Sequence, residues 1–200
     1  MSSRRRRMQQ GFSLIEVSIV TAIVLLIAIV GIPAIGSYVI ENKVPKVGEE
    51  LQRFVARVKA NGQGGGVAPY ENLHDGMLAN ALRDSSVFAV KGSDASAVVA
   101  HGLGGNGSAG HGTIALAPAF FAGGGPGSAF TLTLTNVNNA ACPALASVMQ
   151  RVSEVITLEG EGGPVVVKDA AASPPMAYDA MLAQAQCARG DANTFVFTAR

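Results

Sequence analysis

Gly11-Phe12-Ser13-Leu14-Ile15-Glu16-Val17 separates Arg4-Arg5-Arg6-Arg7 from an apolar run that reaches Ile40. From Val17 to Ile40 no residue is charged, and only Ser18, Thr21, Ser37 and Tyr38 are polar. A helix over such a run crosses about 30 Å of hydrocarbon. The arginines before it are held on the cytoplasmic side, which predicts that everything after Tyr38 lies across the membrane. Glu16 is the anomaly. A charged side chain at that depth costs roughly 2.5 to 3.5 kcal/mol on insertion scales, so the acid predicts a later state that gives it a partner. The competing reading is an interfacial acid that snorkels to headgroups.

The helix is expected to continue past the membrane as an amphipathic one over residues 41–61. Val44, Val47, Leu51, Phe54, Val55 and Val58 recur every three or four positions, with Lys46, Glu49, Glu50, Arg53, Arg57 and Lys59 between them. Glu49 and Arg53 stand one turn apart and can pair. Asn61-Gly62 and Gly64-Gly65-Gly66 end the helix. Pro33, between Gly31 and Gly36, predicts a kink or a melted turn, and Pro45 a bend just outside the membrane. A proline tolerated in a membrane helix without further consequence is the alternative at Pro33.

Two hundred residues, 48% apolar with 24 glycines and no Trp, suit an anchor plus one small head over residues 62–200. The formal charge of +1 hides an asymmetry. Without the arginine leader about 11 basic residues face 14 acidic ones, a formal balance of about −3 that gives no bulk attraction to nucleic acid. Cys142 and Cys187 are the two cysteines, and their place outside the cytoplasm permits a disulfide. Closing a loop of about 46 residues is worth about 4 kcal/mol in the chain-entropy account. Two buried free thiols are the other reading.

In the head, residues 70–82, 143–152 and 176–187 read as short helices. Strands are expected at 88–91, 97–100, 113–116, 129–135, 155–158, 165–168 and 194–198, with 155–168 forming a hairpin. Alternating Phe130, Leu132 and Leu134 with Thr131, Thr133 and Thr135 is the clearest half-buried strand. Residues 102–112 read as a flexible loop. The disulfide is expected to hold an edge of the sheet against fraying.

Enzymatic and metal chemistry find no constellation. Gly102-Leu103-Gly104-Gly105-Asn106-Gly107 satisfies GxGxxG but leads into more glycine and a strand, where a dinucleotide site needs a helix. His74, His101 and His111 are scattered, and Asp75, Asp84, Asp169 and Asp179 show no acid and base pairing. No GxSxG elbow is present. No cofactor, metal site or catalytic residue is expected.

Gly11 followed by Phe12-Ser13-Leu14-Ile15-Glu16-Val17 resembles the class III signal of type IV prepilins and of type II secretion pseudopilins. The resemblance implies cleavage between Gly11 and Phe12 by a membrane prepilin peptidase, removal of residues 1–11, and methylation of Phe12. Residues 12–40 then form the membrane and filament-core helix. Glu16 is the acid at the fifth mature position, paired in a filament with the amine of a neighbour, and Pro33 matches a proline associated with helix loosening during assembly. Gly11 lets the chain approach the protease closely. From Asn72-Leu73 through Ala141-Cys142 to Cys187-Ala188-Arg189-Gly190-Asp191-Ala192-Asn193-Thr194-Phe195 the head is similar to PilS-type major pilins of type IVb pili, while the short leader and Phe12 resemble type IVa. The implied fold is α+β: a pilin fold with a long N-terminal helix on an antiparallel sheet, with short extra helices and a disulfide-closed carboxyl-terminal region. The implied function is a structural pilus subunit, not an enzyme. Its partners would be copies of itself, prepilin peptidase and the inner-membrane assembly machinery, and its place the inner membrane and then the cell surface. A minor pilin or pseudopilin, or a monomeric membrane-anchored enzyme or binding protein, are the rival readings.

Overall fold

The computed structural model describes residues 13–200, except for the side chains of residues 32–34. The chain divides into one unit ending at Ser37 and another spanning Tyr38–Arg200, and helix α1, Leu14–Gly62, runs through the boundary. The helix continues without interruption through Pro33 and Pro45, so the melted turn expected at Pro33 is not formed. Proline deletes one backbone bond and crowds the preceding turn. The bonds on either side keep the helix.

Within the second unit the apolar stripe of α1 does what its spacing predicts. Val44, Val47, Leu51, Phe54 and Val55 are buried and Val58 is half-buried, while Lys46, Glu49, Arg53 and Arg57 stay exposed. Arg53 pairs with Glu49 at 2.5 Å and with Glu50 at 3.4 Å. Both pairs are on the surface and add little to stability.

The remaining elements are α2 (Asp75–Leu82), β1 (Ala89–Lys91), β2 (Val98–Ala100), β3 (Thr113–Ala119), β4 (Ala129–Val137), α3 (Cys142–Met149), β5 (Val155–Gly160), β6 (Gly163–Asp169), α4 (Ala180–Gln186) and β7 (Asn193–Ala199). The seven strands form one antiparallel sheet in the order β1-β2-β3-β4-β7-β5-β6. The architecture is the expected α+β one, a long helix packed on an antiparallel sheet.

Alternation sorts the sheet into two faces. Phe130, Leu132 and Leu134 of β4, Phe195 and Phe197 of β7, and Ile156 and Leu158 of β5 join the α1 stripe in one core. The rings of Phe195 and Phe197 lie 5.3 Å apart and nearly parallel. Thr131, Thr133, Val196, Thr198 and Thr157 take the other face and are half-buried. β3 runs past its expected end at Leu116 to include Pro118, which pairs with Phe130 on β4. Pairing between β2 and β3 is confined to Ile114 and Thr113, so the missing amide of Pro118 falls where β3 is an edge.

Helix α3 packs closely on α1. A Cβ on Gly48 would meet the Val148 side chain, and Gln52 Nε2 donates to the Val148 carbonyl at 2.6 Å. Lys59 Nζ donates to the Val152 carbonyl, and Lys168 Nζ to those of Gln150 and Ser153. Two lysines thus serve carbonyls of the turn that follows α3.

Two short helices begin later than expected. In place of a start at Tyr70, α2 starts after His74, whose Nδ1 accepts the Gly76 amide. In place of a start at Met176, α4 starts after Asp179, whose Oδ1 accepts the Met181 and Leu182 amides. Capping side chains, not the apolar pattern, set these boundaries.

Candidate assembly site

The candidate site residues of the amino-terminal segment fall at three levels of description. Gly11 and Phe12 lie outside the described residues, as does the leader before them. Pro33 is within α1, with its side chain outside the description. Glu16 is fully described.

Around Glu16 the helix exposes its apolar surface: Leu14, Ile15, Val17, Ile19, Val20, Ile23, Val24 and Leu26 are each more than half exposed. This part of α1 is long and apolar enough to cross a membrane. Leaving so much apolar surface in water is unfavourable by roughly 25 cal/mol per Å². The segment therefore calls for lipid or for other apolar helices.

Glu16 has a local partner that the cost argument overlooks. Its Oε2 accepts the Ser13 backbone amide at 2.9 Å, while the Ser13 carbonyl accepts the Glu16 and Val17 amides. This is the acid half of a capping box, in which the residue three positions into the helix bonds back to the cap. The carboxylate also sits at the positive end of the helix dipole. Ser13-Leu14-Ile15-Glu16 carries the S-x-x-E signature in the sequence itself. A backbone amide supplies one hydrogen bond and no counter-charge, and among the described residues no cation forms an ion pair with Glu16.

Cys142 and Cys187 form a disulfide with their Cα atoms 6.0 Å apart, joining the start of α3 to the residue that closes α4. It does not hold a sheet edge, as the sequence suggested. Strand β7, which follows Cys187, is interior, with β4 on one side and β5 on the other. The bridge instead couples two helices and the turn entering a central strand.

The glycine-rich segment 102–112 is tied in, not loose. Leu103 is fully buried and its carbonyl accepts the Asn138 amide at 2.9 Å. Asp191 accepts from the Gly105 amide at 2.9 Å and from Asn138 Nδ2 at 2.6 Å, while Asn136 Nδ2 donates to the Asp191 carbonyl. Asn136 has a positive φ of 53°, a conformation asparagine tolerates, where β4 shifts register between Leu134 and Val137. Asp191 is thus an organising residue that composition did not reveal, since its partners are remote in sequence.

The scattered polar residues serve the fold. Asp75 Oδ1 accepts the Leu116 amide at 2.6 Å, Asp169 Oδ1 accepts the amides of Ala171 and Ala172, and Asp179 caps α4. His74 caps α2, His101 is buried and His111 is exposed. Among the described residues no group of three or more His, Cys, Asp or Glu is placed to hold a metal ion. An open groove of about 400 Å³ at the carboxyl end of α1 is lined mainly by apolar residues, Phe54, Val58, Leu73 and Met77 among them, together with Tyr70, Arg57, Asn61 and Asn72, and no carboxylate lines it.

Comparison with known proteins agrees with this geometry. The family described as PilS N terminal matches residues 107–200, and the prokaryotic N-terminal methylation motif matches residues 6–32. The crystal structure of a type IVb pilin from Salmonella typhi superposes with a TM-score of 0.52 at 20% identity, covering 78% of this chain and 99% of the other. No curated protein matches this chain in sequence.

Proposed function

We propose that this chain is a structural subunit of a type IV pilus with a PilS-like head, a reading supported by the two family matches and the shared fold, and that it is cut between Gly11 and Phe12, methylated on Phe12, and polymerised through α1 into a surface filament. The observation that carries the reading is the pairing of an exposed apolar helix with one acid at its start. Cleavage would remove the arginines and leave a cationic secondary amine on Phe12, about one helical turn from Glu16. Bundling such helices buries their apolar surface. Within the bundle the amine of one subunit gives the Glu16 carboxylate of the next a charge partner where water is scarce. Glu16 then fixes axial register, and Pro33 loosens the helix as it leaves the bilayer.

On this reading the precursor resides in the inner membrane with its head in the periplasm. Prepilin peptidase and the assembly machinery handle it there, and the product is an extracellular pilus serving adhesion, motility, conjugation or DNA uptake. Mass spectrometry of the mature protein tests the first step. The expected amino terminus is N-methyl-Phe12; a mature chain that begins near Met1 defeats the proposal. Abundance in sheared surface fibres separates a principal subunit from a minor pilin or secretion pseudopilin.

A further inference from the structure

His101 follows β2 and is fully buried. Both ring nitrogens are engaged. Nε2 lies 2.8 Å from the Thr135 carbonyl oxygen, which can only accept, and Nδ1 lies 3.0 Å from the Leu103 amide nitrogen, which can only donate. These partners fix one tautomer: neutral, with its proton on Nε2. The 102–112 loop begins at this ring. The His101 backbone amide donates to the Gly112 carbonyl, and the buried Leu103 and the Gly105 to Asp191 bond attach the loop to β4 and to the turn entering β7.

We infer that His101 is an acid-sensitive latch: a proton on Nδ1 sets one N–H against another at Leu103 and frees the 102–112 loop from the head, while α1 and the disulfide stay in place. The loss is a clash of donors in a buried site, where an unmet donor is costly. Of the charged groups around the loop, Asp191, from the turn before β7, favours the proton; Lys43 of α1 has its Nζ 3.5 Å from the Gly102 carbonyl oxygen, and His111 is exposed on the same loop. Burial is the largest influence and holds His101 below its ordinary pKa of 6.5, against the pull of the Thr135 hydrogen bond and Asp191. The unfolded chain therefore takes up the proton first. The latch contributes fully above 6.5, and its contribution is lost as pH falls from there toward the lowered folded value.

Hydrogen exchange on the full chain in detergent micelles tests this, comparing about pH 7.5 with about pH 5 after correction for intrinsic exchange. The expected result is a loss of protection of about tenfold or more across 102–112, with none across β4. His101→Asn, whose side-chain oxygen can accept from Leu103 but does not titrate, should abolish the pH dependence, and His111→Gln should preserve it. Unchanged wild-type protection, or an undiminished transition in His101→Asn, overturns the inference. Should His101→Asn fail to fold, NMR titration of the wild-type ring decides. Protonation of His101 in step with loss of Leu103 protection supports the latch, and loop opening with a neutral ring overturns it.

Discussion

On the proposed reading Glu16 meets two demands with one carboxylate. Its bond to the Ser13 amide closes the first turn of α1, and its charge supplies what a packed bundle of such helices would use for register. The two roles separate by substitution. Glutamine at this position still completes a capping box, whereas alanine removes both the cap and the charge, with a loss of about 1 kcal/mol at the helix start. Glu16→Ala and Glu16→Gln are both expected to insert and be cleaved normally and to be missing from sheared fibres, scored by immunoblot. Filaments of normal yield from Glu16→Gln would assign the residue to its cap alone. The S-x-x-E spacing is legible without a structure, yet an acid at the head of an apolar run directs thought to lipid before backbone.

Among the elements, β7 and the α3–α4 pair show where local pattern stops being informative. Phe195 and Phe197 mark β7 as a strand with one core face, but nothing local says that it enters between β4 and β5. That placement gives β7 hydrogen-bonded neighbours on both sides and leaves the disulfide to hold helices. Replacing Cys142 and Cys187 together by alanine should cost about 4 kcal/mol by loop entropy, measured by denaturant unfolding. Hydrogen exchange should rise first in α3 and α4; β7 exchanging first would restore the edge-strand reading. Gly160 is a second test. A Cβ there would run into the Gln186 carbonyl, which is backbone and cannot swing aside. Gly160→Ala should therefore lower stability by about 1 to 3 kcal/mol in thermal melts, although alanine is ordinarily well tolerated.

For the whole molecule, the edges of the sheet decide how copies can meet. β1 is three residues long and carries Lys91, and β6 is covered by the following segment. Asp169 and Met176 exchange amide bonds, the Asp179 amide donates to the Val167 carbonyl, and Gln186 Nε2 donates to Gly163. Short, charged or covered edges discourage pairing between sheets. The apolar surface that seeks a partner lies instead on α1 before Ser37. A chain starting at Tyr38 keeps every residue of the buried core and is expected to stay monomeric without detergent, whereas the full chain requires it; light scattering checks both. Self-association of the shortened chain would show that the head carries an assembly surface of its own.

What the amino-acid order determined by itself is local and periodic: the apolar run with its acid, the stripe from Val44 to Val58, the alternation in β4, and the cysteine pair. Each is set by a repeat of 3.6 or 2 residues or by a composition that water and lipid judge directly. Tertiary structure alone decided the rest. The central place of β7, the burial of His101 and Leu103 within a glycine-rich loop, and the hub at Asp191 depend on partners such as Thr135, Asn138 and Gly105, remote along the chain and chosen only when the sheet closes around them. Hydrogen bonds of that kind leave no periodic trace, because the groups that satisfy one another share a place and not a spacing.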